Sequence, residues 1–179
     1  DSARWKTIER TLPGGLPGPS ACTRDSECRG GNCFRTGICS DICATDADCT
    51  TGYRCVLERY AGCGGTDYVG RCLDACDCDT ECPAGQLCQP WAHAVAPPTP
   101  ITVVGACDNS YGPLAPGADC DNSMGLFCAH AICSRGGTGF CTQVCSATCG
   151  CPAGIGPCGP STITFSSLGS YPGMTCGTL

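Results

Sequence analysis

Cysteine is the residue type abundant enough to decide the chemistry of this chain: 23 of 179 residues, roughly 13%, above the ~8–10% that marks a disulfide scaffold. Thiols at this density persist as disulfides in an oxidising space, so the chain is expected to be secreted, extracellular or on a cell surface. Metal ligation is the rival chemistry. Zinc sites draw most often on C-x2-C pairs. Here the close pairs are C-x-C at Cys76/Cys78 and Cys149/Cys151. The C-x3-C pairs are Cys39/Cys43, Cys72/Cys76, Cys78/Cys82, Cys141/Cys145 and Cys145/Cys149. Histidine help is confined to His93 and His130. The expectation is therefore disulfides, no resident metal and no cofactor. One calcium alternative rests on the acidic cluster Asp74, Asp77, Asp79 and Glu81, because calcium wants six to eight oxygens from carboxylates and carbonyls.

Other chemistries find little support. There is no His-Glu-x2-His, no Gly-x-Ser-x-Gly and no phosphate loop, so no catalytic residue is expected. Ten basic against sixteen acidic residues give a net charge of −6, and Lys6 is the lone lysine. That balance argues against nucleic acid, which calls for basic patches. No apolar run approaches the ~18 residues of a membrane helix. Asp1 and its neighbours lack the apolar segment of a leader, so Asp1 is expected to be a processed end.

The elements that position the cysteines must be small. Leu, Ile, Val and Phe total only 26 residues, roughly 15%, too few for a large apolar core. The expected fold is small and disulfide-rich: loop-rich modules with short antiparallel β-hairpins and little helix. A paired spacing recurs. Asp25-x2-Cys28 precedes Gly30-x2-Cys33, Asp46-x2-Cys49 precedes Gly52-x2-Cys55, and Asp79-x2-Cys82 precedes Gly85-x2-Cys88. A fourth copy keeps only Gly125-x2-Cys128, after Cys120. The Asp is expected to close a local Asx turn, and the Gly to supply a positive φ between bridged cysteines. Cys22, 28, 33, 39 and 43 align with Cys43, 49, 55, 72 and 76, which leaves Cys63 as the extra cysteine. Cys63, with Cys176 as the alternative, is the expected unpaired or intermolecular thiol of an odd set.

The run Cys43-x2-Asp46-x2-Cys49-x2-Gly52-x2-Cys55, with Cys72 and Cys76 beyond, resembles the cysteine-rich repeats of the Dickkopf amino-terminal type. Similar repeats occur in secreted bacterial proteins, including those of myxobacteria. The match covers roughly residues 22–88. It implies an extracellular binding or structural role and carries no catalytic residue to transfer.

Four regions follow: an arm or linker at 1–20, disulfide repeat modules at 21–88, a Pro-rich hairpin or linker at 89–106, and a second disulfide-rich region at 107–179. Val56–Tyr60 is expected to pair with Tyr68–Val69. In the 89–106 hairpin, Trp91, His93 and Val95 are the expected partner contact, since aromatic anchors dominate interfaces. His93 is otherwise expected at the hairpin surface, and His130 beside the Cys128/Cys133 bridge region. Residues 136–179 hold no Asp, Glu, Lys or Arg. That neutrality suits a compact hydroxyl-rich domain, or a surface covered by a partner, by a second copy or by O-linked sugar. Within it, Ile163–Leu168 alternates like an edge strand.

The function expected is a secreted, non-enzymatic structural or interaction protein, a subunit of an extracellular or surface assembly, whose partner is another protein or itself. The alternatives are a small non-catalytic subunit of a secreted enzyme, or an inhibitor-like binder presenting the 89–106 loop. Mass spectrometry of native protein should find at least ten intramolecular bridges. More than four free thiols would refute the disulfide reading.

Overall fold

A computed structural model describes residues 15–31, 33, 34, 37–60, 67–93, 101–134, 138–165 and 168–177. The chain forms two compact units, Asp1–Asp74 with His93–Ile101, and Ala75–Ala92 with Thr102–Leu179. Among the described residues there is no α-helix, and regular structure is short antiparallel strand with single 3-10 turns. The strands are β1 (Ile42–Cys43), β2 (Tyr53–Tyr60), β3 (Asp67–Asp74), β4 (Gln86–Ala92), β5 (Val103–Asn109), β6 (Asp119–Asp121), β7 (Ile132–Cys133), β8 (Thr138–Thr142), β9 (Cys158–Phe165) and β10 (Gly169–Cys176). They pair as β1-β3-β2, β4-β5, β6-β8-β7 and β10-β9. The expected hairpin at 56–69 is present, with Arg59 opposite Tyr68 and Glu58 opposite Val69.

Eleven disulfides join the 22 described cysteines. Ten of them fall into five repeats of four cysteines, bridged first to third and second to fourth. The repeats pair Cys22–Cys33 with Cys28–Cys39, Cys43–Cys55 with Cys49–Cys72, and Cys76–Cys88 with Cys82–Cys107. The last two pair Cys120–Cys133 with Cys128–Cys141, and Cys145–Cys158 with Cys151–Cys176. Each of these rings spans 11 to 25 residues, and rings of that size stabilise by on the order of 2–4 kcal/mol each, mainly by restricting the unfolded chain. The core is accordingly cystine: sulfur-bearing residues outnumber every other buried apolar type, with Val56, Leu57, Leu73 and Ile163 as its largest aliphatic members.

The backbone repeats with the sulfurs. The third and fourth cysteines face each other across a two-stranded ladder in all five repeats: Cys33/Cys39, Cys55/Cys72, Cys88/Cys107, Cys133/Cys141 and Cys158/Cys176. The residue before the first cysteine pairs with the residue before the fourth: Ala21 with Ile38, Ile42 with Arg71, Ala75 with Ala106, Asp119 with Phe140, and Val144 with Thr175. In the second and fourth repeats this makes a three-stranded sheet with the fourth-cysteine strand in the middle, and in the others isolated bridges complete the same pattern. In each repeat the loop between the first two cysteines is tied down by both bridges.

A left-handed residue stands three places after every second cysteine: Gly31 (φ 65°), Gly52 (φ 91°), Gly85 (φ 88°), Ala131 (φ 57°) and Gly154 (φ 89°). This confirms the sequence expectation for Gly52 and Gly85 and corrects two others. In the first repeat Gly31, not Gly30, makes the turn. In the fourth, Gly125 (φ 76°) ends the 3-10 turn Asn122–Met124, and Cys128 proves to be the second cysteine of its repeat. The fifth repeat escaped the sequence reading because it lacks the acidic signature.

A second glycine position is steric. Two residues before the fourth cysteine, a Cβ on Gly70 would fall on the Cys43 carbonyl oxygen and 2.8 Å from Cys55 Sγ. A Cβ on Gly105 would meet Cys76 and Cys88 in the same way. Gly105→Ala is expected to cost roughly 1–3 kcal/mol by overpacking. Ala131→Gly should instead stabilise by roughly 0.5–1 kcal/mol, because Cβ disfavours the left-handed conformation. Denaturant melts of the oxidised variants would check both signs.

Candidate contact surface

The acidic residues of the repeat motif are built into the scaffold. Asp25, Asp46 and Asp79 each open a one-turn 3-10 helix. Each sends Oδ1 across the loop to the backbone N–H of the third cysteine, Cys33, Cys55 or Cys88, at 2.8 Å in all three. The expected local Asx turn is thus a longer brace that spans eight or nine residues and orients the bridged cysteine. A second acid, two residues on, caps the same turn. Glu27 accepts from Thr23 N–H, Asp48 from Ala44 and Thr45 N–H, and Glu81 from Asp77 and Cys78 N–H. This D-x-[DE]-C pattern was visible in the sequence and is the signal for the caps.

Both histidines of the chain dock on these braces. His93 Nε2 lies 2.8 Å from Asp46 Oδ1. His130, which is buried, lies 2.9 Å from Asp79 Oδ2 and 3.0 Å from its Oδ1. His93 is also placed by a bridge to Val56. The His93 ring is thus engaged with Asp46 on the second repeat. His130 answers to a carboxylate 51 residues away, which no local pattern announces. Burial alone would raise the Asp46 and Asp79 carboxyls. The N–H of Cys55 and the His93 ring outweigh it at Asp46, as the His130 ring and the N–H of Cys88 do at Asp79, so both are held below their ordinary value of 3.8.

The four calcium candidates divide. Asp79 and Glu81 already accept the bonds just described. Asp77 takes the Thr148 hydroxyl at 3.4 Å. Asp74 ends β3 opposite Tyr53, and burial pushes its carboxyl up.

No family model matches the chain, and no curated protein or solved structure matches it.

Of the expected contact residues, Trp91 is half-buried on β4 opposite Val104, His93 is committed to Asp46, and Val95 lies outside the described residues. Cys176 is bridged to Cys151 and fully buried, which removes it as an unpaired thiol. Cys63 lies outside the described residues.

Two exposed surfaces were not singled out residue by residue. In and just before the fourth repeat Tyr111 (62% exposed), Met124 (74%) and Leu126 (44%) face solvent, and Tyr111 stacks edge-on against Phe127 at 5.6 Å. On the β9–β10 hairpin, Pro160, Thr162, Thr164, Ser170, Pro172 and Met174 are all exposed, and none carries charge. The period-2 alternation from Pro160 to Thr164 was the available signal. β9 ends at Phe165 and pairs along its whole length with β10. Hydrogen bonds from Cys145 N to Met174 O and from Cys176 N to Gln143 O fix the ladder's phase. In that phase Pro160 and Pro172 sit where a backbone N–H would point away from the partner strand, as prolines in sheets do.

The lowered aspartates have a pH consequence. Their stabilisation is fully present above the ordinary aspartate value of 3.8 and is lost as pH falls through their lower folded values. Protection of the Cys55 and Cys88 amides, relative to their intrinsic exchange rate at each pH, should hold from neutral pH down to about 4 and fall below it. Asp79→Ala should release the Cys88 amide at all pH values, at a cost of roughly 1–3 kcal/mol for a lost charged hydrogen bond.

Proposed function

We propose that this chain is a non-enzymatic structural or interaction protein of the extracellular space, a subunit of an assembly that contacts another protein or further copies of itself. The dense disulfide framework carries this reading, and it fits an extracellular setting. No helix among the described residues is long and apolar enough to cross a membrane. Both imidazoles and the carboxylates of Asp46 and Asp79 are engaged in bracing the repeats. The Dickkopf-type spacing of the second repeat supports the same class of role.

Cys63 supplies the assembly step. The eleven bridges consume the other 22 of the 23 cysteines, so a disulfide at Cys63 requires a sulfur from outside this chain. An odd cysteine in an oxidising space tends toward that outcome. Trp91 and the uncharged β9–β10 face serve as the non-covalent contact.

Non-reducing electrophoresis of native material should show a band above monomer mass that collapses on reduction and disappears in Cys63→Ser. A monomer band with one alkylatable thiol refutes the cross-link. An unchanged native complex in Trp91→Ala refutes the assigned contact.

A further inference from the structure

Two of the five repeats carry a strap. Leu16 stands six places before the first cysteine of the first repeat, and Leu114 six places before that of the fourth. Each runs parallel to its repeat's second cysteine, Leu16 beside Cys28 and Leu114 beside Cys128. The same two backbone bonds hold both. The leucine N–H donates to the carbonyl before that cysteine, on Glu27 or Phe127, and the leucine carbonyl accepts from the N–H after it, on Arg29 or Ala129. A turn closed by Ser20 N–H on the Pro17 carbonyl, or by Ala118 N–H on that of Ala115, then leads the strap into the first cysteine. In both strapped repeats the second cysteine is sealed, with Cys28 0% and Cys128 2% exposed.

The second, third and fifth repeats follow their predecessors too closely to have a strap of their own. Six places before their first cysteines stand Gly37, Gly70 and Gly139, each inside the preceding repeat. Their second cysteines, Cys49, Cys82 and Cys151, are only half-buried. After that cysteine the third and fifth repeats have Pro83 and Pro152. Proline has no N–H for a strap to accept, and prolines on an edge keep other strands from adding to it. The second repeat has Thr50 there, and it is exposed. Among the described residues no backbone hydrogen bond takes up the Thr50 N–H or the Asp48 carbonyl. These are the donor and acceptor that a strap engages in the first and fourth repeats.

We infer that the Asp48–Thr50 edge of the second repeat takes a strap from a second copy of this chain, and that the strap is Leu12-Pro13-Gly14. Leu-Pro-Gly occurs twice, at 12–14 and at 16–18. The later occurrence is the strap of the first repeat, which shows how such a segment docks. The earlier one belongs to the 14 residues ahead of the described chain, and it offers the same leucine N–H and carbonyl before the same turn-forming dipeptide. Main-chain bonds supply the attachment in strand addition of this kind, and the side chain supplies selectivity. Here the leucine side chain covers the half-buried Cys49. The inference rests on the reading of this chain as an assembly subunit, and it names the partner as a second copy.

The test uses the full oxidised chain carrying Cys63→Ser, so that no cross-link at that cysteine supports the assembly. Sedimentation should show mass above monomer that grows with concentration, and the Thr50 amide should gain about tenfold protection from exchange over the same range. Thr50→Pro should be monomeric. It copies a residue the fold already accepts, because Thr50, Pro83 and Pro152 open the same turn, each carbonyl accepting from the N–H three residues on. Cys49 also has the extended backbone (φ −96°, ψ 154°) that precedes a proline. Leu12→Asp should likewise be monomeric, and a synthetic peptide of residues 9–15 should dissolve the Cys63→Ser complex while protecting Thr50. A complex that persists in Thr50→Pro overturns the strap site and leaves the assembly reading standing. Millimolar peptide that leaves Thr50 unprotected also overturns the strap site. Peptide protection in a Cys63→Ser chain that stays monomeric overturns the second copy as its source. The assembly reading itself falls only if native chain with Cys63 intact is monomeric too.

Discussion

In every repeat two cysteines stand opposite each other on adjacent strands and do not bond to each other. Each instead reaches back to the loop that precedes the hairpin, third to first and fourth to second. The rest of the structure depends on this crossing. A bridge between facing cysteines would only reinforce a ladder that hydrogen bonds already hold. The crossed bridges convert a loop and a hairpin into one closed object, and they do so with few aliphatic side chains. The steric demands follow from it. The central strand must pass so near the first cysteine's carbonyl and the third cysteine's sulfur that Gly70 and Gly105 have no room for a Cβ.

The carboxylates extend the same constraint. A sulfur can bond across only if its own backbone is correctly placed, and in three repeats an aspartate fixes the third cysteine's N–H at 2.8 Å. Histidines from elsewhere in the chain then settle on two of those aspartates, so a local brace becomes a tertiary contact. The hydroxyls of Ser40 and Thr142, each just after a fourth cysteine, donate to the carbonyl of the next repeat's fourth cysteine, Cys72 and Cys176. The first repeat is therefore coupled to the second, and the fourth to the fifth, by a buried side-chain bond as well as by chain continuity. Loss of a buried polar bond of this kind leaves its partner unsatisfied.

Against this order, the surface of the charge-free carboxyl-terminal segment is plain. Its hairpin buries Ile163 and Thr175 on one face and exposes threonine, serine, proline and methionine on the other. Charge is unevenly spread along the sequence as well, since every basic residue but Arg135 precedes Asp74. The charged residues of the second unit are thus acids, with Arg135 as the exception.

The sequence alone determined the scaffold class. Cysteine density and the scarcity of aliphatic residues left disulfides as the main source of stability, and the alignment of Cys22–Cys43 with Cys43–Cys76 already held the correct repeat phase. It also marked the left-handed turns at Gly52 and Gly85, because those positions admit few residues but glycine. Tertiary structure decided what spacing does not encode. Pairing order depends on which sulfurs a hairpin brings together, and the third and fourth cysteines face each other without bonding. The fourth and fifth repeats were obscured because Ala131 takes the glycine's place and the acidic brace is missing, although the backbone closes in the same way. The fates of His93, His130 and Cys176 were likewise settled in space, by partners 25 to 51 residues distant. Contacts between residues that far apart leave no local period, so only the folded chain reveals them.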